Sequence, residues 1–377
     1  MTIPTRQFGH NGPELSILGF GAMRLPGFRQ GRYEECMDEA VNLLRRGIEL
    51  GINYIDTAQL YDMGYSEIAV GKAIHNCRDQ VYIATKILPP MISSADDFKR
   101  LFEESCKRLD THRIDVFHFH GLLYKQFEGQ LAQMRLLAEA EKLKASGRIG
   151  TLGFSCHDTT DNIHRLIDTD AFGGMLVQYN FIDETNTDVI AHAHDKGMGV
   201  AVMGPVGGGR LAGVGPDFTK LIPPEFDNSP ALALKFVWSN PGVTVALSGM
   251  ESKSILETNI QLAKDFTPMT KQDYAKLDEL RQNLAGLKEI YCSGCGYCLP
   301  CEQDIHIPGI FNLLICHEIF GAKRYAKDIY RMIGFTPIVP GRNVSACIEC
   351  GKCEEKCPQK IPIIEQLKRT HELLSTG

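Results

Sequence analysis

Four ionisable side chains stand at the ends of three consecutive β-favouring runs in the first third of the chain. Asp56 ends the first run, and Tyr61 follows it by five residues. Lys86 ends the second run and His120 ends the third. The ends of consecutive parallel strands meet at one mouth of a barrel, which is where barrel enzymes hold their catalytic groups. Carboxylate, phenol, ammonium and imidazole together are suited to general acid–base chemistry.

The runs that carry these residues belong to a longer alternation of strand-like and helix-like segments. Eight strand candidates are Ile17–Met23, Tyr54–Thr57, Val81–Lys86, Ile114–His120, Ile149–Ser155, Leu176–Asn180, Gly199–Met203 and Val243–Ser248. Helix candidates between them include residues 33–50, closed by Gly51, and residues 95–109, with Ser94 as N-cap. A hairpin with a tight turn at Asn11-Gly12 precedes them. Eight such units predict an α/β fold, a (β/α)8 barrel.

An open, doubly wound sheet is the alternative fold. It needs a Gly-rich dinucleotide loop after the first strand, and the segment from Gly19 to Arg24 does not follow G-x-G-x-x-G. The pattern therefore favours the barrel.

At several strand ends the chain resembles the aldo-keto reductase family, over roughly residues 3 to 265. The segments that carry the resemblance are Ile55-Asp56-Thr57-Ala58 with Tyr61, Thr85-Lys86, Phe119-His120-Gly121, Gly153-Phe154-Ser155, Gln178-Tyr179-Asn180 and Gly204-Pro205-Val206-Gly207. The resemblance implies a barrel that binds NAD(P)H across its C-terminal mouth. It also implies that Asp56, Tyr61, Lys86 and His120 form a catalytic tetrad.

The chemistry of such a tetrad follows from its side chains. A tyrosine with a pKa near 10 is a reluctant proton donor at neutral pH, and a nearby Lys86 ammonium lowers that pKa. Asp56 would keep Lys86 charged, and a neutral His120 could donate an N–H to the substrate oxygen. The structural alternative is a buried Asp–Lys ion pair with two incidental aromatic residues.

The cofactor contacts are implied by the resemblance. Ser155 and Gln178 would bind the nicotinamide carboxamide, and the backbone from Gly204 to Gly207 would approach the pyrophosphate. A plain flexible loop is the alternative for that glycine-rich segment. The full candidate set is Gly21, Ala22, Met23, Ser155, Cys156, Gln178, Met203, Gly204, Pro205, Val206, Gly207, Ser248, Gly249, Met250, Ser252 and Asn259.

Three positions depart from the family pattern. Cys156 replaces an asparagine that would be the second carboxamide contact, and Met203 replaces an aromatic residue that would stack on the nicotinamide. The segment from Ser248 to Lys253, expected at the adenosine end, has Lys253 as its only cation. Selectivity for NADP uses cationic partners for the 2′-phosphate, so the choice between NADP and NAD stays open.

A second set of candidate ligands follows the barrel, in two runs of four cysteines. The first run is Cys292, Cys295, Cys298 and Cys301, and the second is Cys347, Cys350, Cys353 and Cys357, followed by Pro358. The second run has the C-x2-C-x2-C-x3-C-P spacing of bacterial ferredoxins, in which the fourth cysteine binds the other cluster. We therefore assign Cys357 to the cluster of the first run and Cys301 to the cluster of the second, which gives two 4Fe-4S clusters.

Zinc is the alternative metal for these cysteines, since C-x2-C pairs also build zinc ribbons. Two close runs of cysteines and the final proline favour iron–sulfur clusters. The first run departs from the spacing, because only two residues precede Cys301 and Glu302 follows it. Aldo-keto reductases with a C-terminal domain of this kind form a subgroup that the chain resembles.

Composition and charge indicate the class of protein and the compartment in which these sites would work. The chain has 377 residues, 13 cysteines and a formal net charge of −6, with no basic excess for nucleic acid. No apolar stretch approaches a membrane span, and residues 1–6 lack a signal-peptide core, so we expect a cytoplasmic protein. In that compartment cysteines serve metal or redox chemistry more often than disulfides.

The sequence predicts two domains and leaves two functions open. The domains are a barrel over residues 1–270, and a linker helix with a mainly helical double-cluster, ferredoxin-like domain over residues 271–377. One function is NAD(P)H-dependent reduction of a small carbonyl substrate, coupled to iron–sulfur electron transfer. The other is electron transfer alone, with the barrel as a nucleotide-binding or docking module. An electron carrier, either a ferredoxin or a flavoprotein, is the expected protein partner. It could bind the basic stretch that contains Lys323, Arg324, Lys327 and Arg331. A solvated helix face explains the same stretch as well.

Overall fold

The structure, a computed structural model of the chain, describes residues 2–207, 211, 228–283, 292, 298–318, 323–335, 339–357 and 361–376. The chain folds into two compact units. One contains Met1–Gly208 and Ala233–Pro268, and the other contains Gly209–Leu232 and Met269–Gly377. The domain boundary at residue 270 stays a prediction.

The first unit is a closed barrel of eight parallel strands, so the predicted (β/α)8 architecture is confirmed. After a two-stranded antiparallel pair, β1 (Thr5–Gln7) and β2 (Glu14–Ser16), come the barrel strands. They are β3 (Leu18–Gly21), β4 (Tyr54–Asp56), β5 (Tyr82–Ile87), β6 (Ile114–Phe119), β7 (Ile149–Ser155), β8 (Gly174–Gln178), β9 (Gly199–Met203) and β10 (Val245–Ser248). Each strand pairs with the next, and β10 closes the barrel on β3.

Helices follow the strands along the chain. Those of eight or more residues in the described part of the barrel unit are α1 (Met37–Glu49), α2 (Tyr65–Ile74), α3 (Ala95–Arg108), α4 (Leu136–Ala145), α5 (Thr160–Ile167), α6 (Thr187–Asp195), α7 (Ser229–Ser239) and α8 (Lys253–Lys264). The predicted N-cap of α3 is present, since the Ser94 side chain accepts a hydrogen bond from the Asp97 N–H. The helix predicted from residue 33 begins only at Met37.

The hairpin before the barrel differs from the tight turn that Asn11-Gly12 predicted. Gln7 pairs with Glu14, so residues 8–13 form the connection, closed by a 2.8 Å bond from the Phe8 N–H to the Pro13 carbonyl. Phe8 is buried in the barrel core. The His10 N–H also bonds to the Gly197 carbonyl. These contacts widen the loop, because its residues pack against the barrel and do not turn back in solvent.

The barrel interior is filled by side chains that alternate along the strands. The core cluster contains Phe8, Leu15, Tyr54, Ala84, Val116, Leu176, Ala201, Val245 and Leu247. Outward-facing Phe117 of β6 packs on Phe98 and Phe102 of α3. At the C-terminal ends of β4, β5 and β6, the inward-facing positions are therefore Asp56, Lys86 and His120.

The second unit is mainly helical over its described residues. Its helices are α9 (Lys271–Asn283), α10 (Ile307–Glu318), α11 (Lys323–Arg331), the short α12 (Lys352–Glu355) and α13 (Ile363–Ser375). The predicted linker helix corresponds to α9, and its last predicted residue, Leu284, lies outside the described residues. Among the helices that the structure describes, none has the length and apolar character needed to cross a bilayer.

Candidate active site

The predicted tetrad residues lie together at the C-terminal mouth of the barrel. Lys86, fully buried on β5, donates hydrogen bonds to Asp56 Oδ1 at 2.5 Å and to the Thr57 carbonyl at 2.7 Å. Its third bond reaches the Tyr61 hydroxyl at 3.3 Å. Three bonds to three oxygen atoms match the three N–H groups of an ammonium, so this geometry fits a charged Lys86.

Burial and charge shift the pKa values of Asp56 and Lys86 in opposite directions. Burial raises the pKa of Asp56, and the Lys86 ammonium opposes that shift. Burial lowers the pKa of Lys86, but the charges and hydrogen bonds of Asp56 and Tyr61 outweigh it, so the pKa is raised. We take the pair as ionic, because the 2.5 Å contact and the three donor bonds stabilise the charged lysine.

Tyr61 keeps its proton more firmly than the sequence predicted. Burial raises the pKa of Tyr61, and the Lys86 ammonium only partly offsets that effect. The expected lowering by lysine is present, but desolvation of the phenolate is larger. Tyr61 is therefore a protonated hydroxyl at neutral pH, as a proton donor must be.

His120 completes the group with its ring at 85° to the Tyr61 ring and 5.8 Å between the centroids. Burial, followed by the nearby Lys86 and His157, lowers the pKa of His120 to about 3. His120 is thus a neutral imidazole over the physiological range. Its buried Nδ1 has no hydrogen-bond partner within the described part of the chain.

Five of the predicted cofactor residues are the last residues of barrel strands. They are Gly21 of β3, Ser155 of β7, Gln178 of β8, Met203 of β9 and Ser248 of β10. Because all strands of the barrel are parallel, these five residues ring the same mouth as the tetrad. The arrangement suits a long ligand laid across the mouth, and each contact with it remains a prediction.

The two predicted carboxamide ligands are held by neighbouring groups. Ser155 Oγ accepts a 2.8 Å hydrogen bond from the Gly121 N–H, and Gln178 Nε2 donates to Asp183 Oδ2 at 2.9 Å. Cys156 has its thiol turned to the backbone, since Sγ donates to the Leu122 carbonyl at 3.0 Å. Burial raises the pKa of Cys156 to about 12, so this thiol is a neutral packing group.

The segment from Gly204 to Gly207 forms a turn directly after β9. Gly204 and Gly207 have φ values of 62° and 55°, and the Gly207 N–H bonds to the Gly204 carbonyl at 2.9 Å. Asn180 donates its side-chain N–H to the same carbonyl at 3.1 Å. Left-handed glycines at both ends of the turn leave backbone close to the mouth without side-chain bulk. Pro205 and Val206 lie between them.

The remaining predicted contacts lie around the end of β10 and the start of α8. Asn259 Nδ2 donates to Ser248 Oγ at 3.0 Å, and Ser252 caps α8 by accepting from the Ile255 N–H at 3.3 Å. Met250 is fully buried, as is Ala22 after β3, whereas Met23 is 56% exposed. Because Ala22 and Met250 expose no surface, their contacts with a ligand stay predictions.

Arg24 is a neighbour of the predicted cofactor residues that the sequence did not indicate. A Cβ atom added to Gly249 would stand 3.2 Å from Arg24 Cδ, so the arginine stem lies against the turn after β10. Phe20 of β3 pairs with Ser248 of β10, which brings these distant segments together. The sequence alone does not show this contact, because Arg24 and Gly249 are far apart in the chain and meet only when β10 pairs with β3 to close the barrel.

The second unit brings five of the predicted cluster ligands around one cavity of about 70 Å³. They are Cys298, Cys301, Cys347, Cys350 and Cys353. Cys301 lies with the second run, as the crossed assignment expects, but so does Cys298, which that assignment gives to the other cluster, so the assignment stays a prediction. Glu302 forms an ion pair with Lys352 and so links the two runs. Cys295 and Pro358 lie outside the described residues.

The donor set of this cavity, five cysteine thiols, fits iron–sulfur chemistry. In the parts of the chain that the structure describes, no group of three or more His, Cys, Asp or Glu could hold one ion. A four-iron cluster bonds each cysteine to a different iron, so its ligands stand farther apart. Ile305, Ile307, Ile364 and Leu367 form an apolar part of the cavity lining, and Glu302, Lys352 and Lys356 form a charged part.

Comparisons with known proteins agree with both parts of this description. The model of the aldo/keto reductase family matches residues 17–219, more than half of the chain, and that of a 4Fe-4S dicluster domain matches residues 291–361. The chain therefore belongs to the aldo/keto reductase family. It is an oxidoreductase of that family with a C-terminal 4Fe-4S dicluster domain.

Three individual proteins illustrate the similarity. L-galactose dehydrogenase of Arabidopsis thaliana is 26% identical over 314 residues, which cover 76% of this chain and 96% of that protein. The holo form of an aldo-keto reductase from Bacillus halodurans is 25% identical, with a TM-score of 0.64, over 74% of this chain and 96% of that one. An aldo/keto reductase from Klebsiella pneumoniae, solved with NADP and acetate, has 24% identity and a TM-score of 0.62 over 74% and 95% of the chains, and shows the shared fold.

Proposed function

We propose that this protein reduces a small aldehyde or ketone with NAD(P)H, using Tyr61 as the proton donor. The observation that carries the proposal is the hydrogen-bonded group of Asp56, Lys86 and Tyr61, built around a fully buried ammonium. A buried ion pair adds little to stability compared with well-packed apolar residues, which agrees with a functional role for this one.

The proposed division of labour follows from the charges of the side chains. A bound reduced nicotinamide supplies the hydride. Neutral His120 donates an N–H to the carbonyl oxygen and strengthens that bond as negative charge develops. Tyr61 transfers its proton to that oxygen. Lys86 stabilises the phenolate that remains, and Asp56 keeps Lys86 charged and in place.

The residues around the mouth support a dinucleotide, and Arg24 favours NADPH. Of the predicted contacts, Ser155, Gln178 and Gly204 to Gly207 would hold the nicotinamide and pyrophosphate, and Ser248 to Ser252 the adenosine end. The stem of Arg24 lies beside Gly249, and its guanidinium would add the cation that a 2′-phosphate requires.

We further propose that the cysteine runs hold two 4Fe-4S clusters that exchange electrons with a protein carrier in the reducing cytoplasm. A nicotinamide gives up two electrons as a hydride, whereas each 4Fe-4S cluster accepts one. Flavin is the usual intermediary between the two kinds of transfer. A flavoprotein or ferredoxin partner would therefore link the clusters to other redox reactions.

The test of carbonyl reduction is Tyr61→Phe in anaerobically purified protein, assayed with small aldehydes and ketones and with both NADPH and NADH. We expect carbonyl reduction to be abolished and nucleotide affinity to stay within a few-fold, because the phenol donates a proton and does not hold the cofactor. Wild type should have the lower KM for NADPH if Arg24 binds the 2′-phosphate.

Tyr65→Phe is the matched control, since Tyr65 stacks on Tyr33 with 4.6 Å between ring centroids, outside the tetrad. It should retain wild-type turnover. More than about a tenth of wild-type activity in Tyr61→Phe would show that the tetrad assignment is wrong. No turnover by wild type with any carbonyl would favour the electron-transfer alternative.

A further inference from the structure

The turn that carries Tyr61 has an unusual backbone. The two residues after Tyr61, Asp62 and Met63, have φ values of 52° and 56°, and Gly64 follows with a φ of 90°. Left-handed conformations are unfavourable for residues with a Cβ atom, and two in succession are rare. Such strain persists only where surrounding structure holds the backbone in place, and it concentrates at functional sites.

The start of the turn is tied to β5. The Thr57 N–H bonds to the Ala84 carbonyl at 2.9 Å, and the Gln59 N–H bonds to the Lys86 carbonyl at 3.1 Å. The chain therefore leaves β4 in a fixed position beside Lys86.

The end of the turn is tied down by the first residues of α2. Buried Ser66 donates from Oγ to the Ala22 carbonyl at 2.7 Å. Since that bond uses the Ser66 hydroxyl hydrogen, the 2.7 Å contact between Thr57 Oγ1 and Ser66 Oγ has Thr57 as donor. Ser66 thus joins the two ends of the turn through a buried hydroxyl pair.

Glu67 makes the second attachment at this end. Its carboxylate is fully buried and accepts from Thr85 Oγ1 at 2.5 Å and from Arg108 Nε at 2.6 Å. Thr85 directly precedes Lys86 on β5. Arg108 also covers the turn, since a Cβ atom added to Gly64 would stand 3.0 Å from Arg108 Cδ. One carboxylate therefore connects the strand of the catalytic lysine with the turn of the catalytic tyrosine.

We propose that Ser66, Glu67 and Arg108 form a brace that holds the Tyr61 hydroxyl at bonding distance from Lys86, which makes Glu67 a positioning residue for proton transfer. The inference rests on the proposed function of Tyr61. The 3.3 Å bond between Lys86 and Tyr61 is at the long end of the hydrogen-bond range, so a small displacement of the turn breaks it. The brace supplies the restraint that a strained turn lacks by itself.

The test is Glu67→Gln, which keeps the volume and an oxygen for Thr85 but removes the charge opposite Arg108. We expect kcat to fall on the order of tenfold or more, because a misplaced donor slows proton transfer, with KM for the nicotinamide unchanged within about twofold. If Tyr61 loses its contact with the Lys86 ammonium, its pKa rises. The alkaline limb of the kcat–pH profile should therefore move to higher pH.

The control is Glu103→Gln, which breaks the exposed Glu103–Arg148 pair on the same helix as Arg108. It should change neither kcat nor the alkaline limb. Ser66→Ala, at the other attachment of the turn, should reproduce the effects of Glu67→Gln and serves as the second variant if Glu67→Gln does not fold.

The outcomes separate this inference from the proposed function. A lower unfolding temperature with unchanged kcat and alkaline limb in both folded variants would overturn the brace, since stability alone explains that result. If Tyr61→Phe retains turnover, the proposed function itself fails. If Tyr61→Phe is inactive while both brace variants behave as wild type, only the positioning role is wrong.

Discussion

Replacing His120 by asparagine should make the barrel less sensitive to acid. Burial and the neighbouring Lys86 and His157 hold the pKa of His120 at about 3, whereas a histidine in the unfolded chain has a pKa of about 6.5. Between these values the unfolded chain binds a proton that the folded barrel does not. Folding stability therefore falls as the pH drops below about 6.5, and it continues to fall until about pH 3.

The magnitude follows from the difference between the two states. At pH 7.5 His120 is mostly neutral in both the folded and the unfolded state, so its contribution to the pH dependence of stability is close to zero. At pH 5.5 the unfolded histidine is mostly protonated and the folded one is still neutral, which lowers stability by about 1.4 kcal/mol. Burial also lowers the pKa values of His118 and His157, so they add to the loss with the same sign. These two histidines remain in the variant, so the difference between the two proteins isolates His120.

The assay is urea unfolding of anaerobic holoprotein at pH 7.5 and 5.5, followed by tryptophan fluorescence. The chain has one tryptophan, Trp238. It is buried in the barrel unit, where its indole N–H bonds to the Ile17 carbonyl at 2.8 Å. Its emission therefore reports on the barrel and not on the second unit, whose unfolding would otherwise obscure a two-state transition.

Wild type should lose about 1.4 kcal/mol more between the two pH values than His120→Asn. The control is His112→Gln, which removes an exposed histidine that precedes β6 and lies outside the tetrad. Equal losses in wild type and His120→Asn would refute the reasoning, since they would mean that His120 is as readily protonated in the folded barrel as in the unfolded chain.

Two further predictions concern the second unit. Anaerobically purified protein should be brown and contain about eight irons per chain. The Cys350→Ala variant should lose roughly half of these irons. Stoichiometric zinc with little iron would contradict the assignment of iron–sulfur clusters. NADPH or NADH added to flavin-free protein should not bleach the cluster absorbance at a rate comparable to carbonyl turnover, because hydride transfer moves two electrons and each cluster takes one. Rapid bleaching in anaerobic stopped-flow would show that the two sites communicate without an added flavoprotein.

Local sequence signals were sufficient for the barrel because each strand and helix carries its own pattern. Ile149–Ser155 and Gly199–Met203 agree with the predicted strands, and α3 begins at the predicted cap. The errors arise where a distant contact decides the local structure. Asn11-Gly12 predicts a two-residue turn, but Phe8 is drawn into the barrel core and the connection becomes longer. No propensity of the hairpin residues encodes that contact.

The same distinction applies to the candidate site. Asp56, Lys86 and His120 could be found from the sequence because a strand end is a local feature, and parallel strands in one barrel must bring such ends together. Arg24 could not be found in this way, because it reaches Gly249 only when β10 pairs with β3 and closes the barrel. Glu67 lay inside an ordinary helical segment, and only the packing of α2 and α3 against β5 shows its carboxylate bonded to both Thr85 and Arg108. Sequence patterns therefore identify groups that could take part in the chemistry, whereas the residues that orient them depend on which elements pack together.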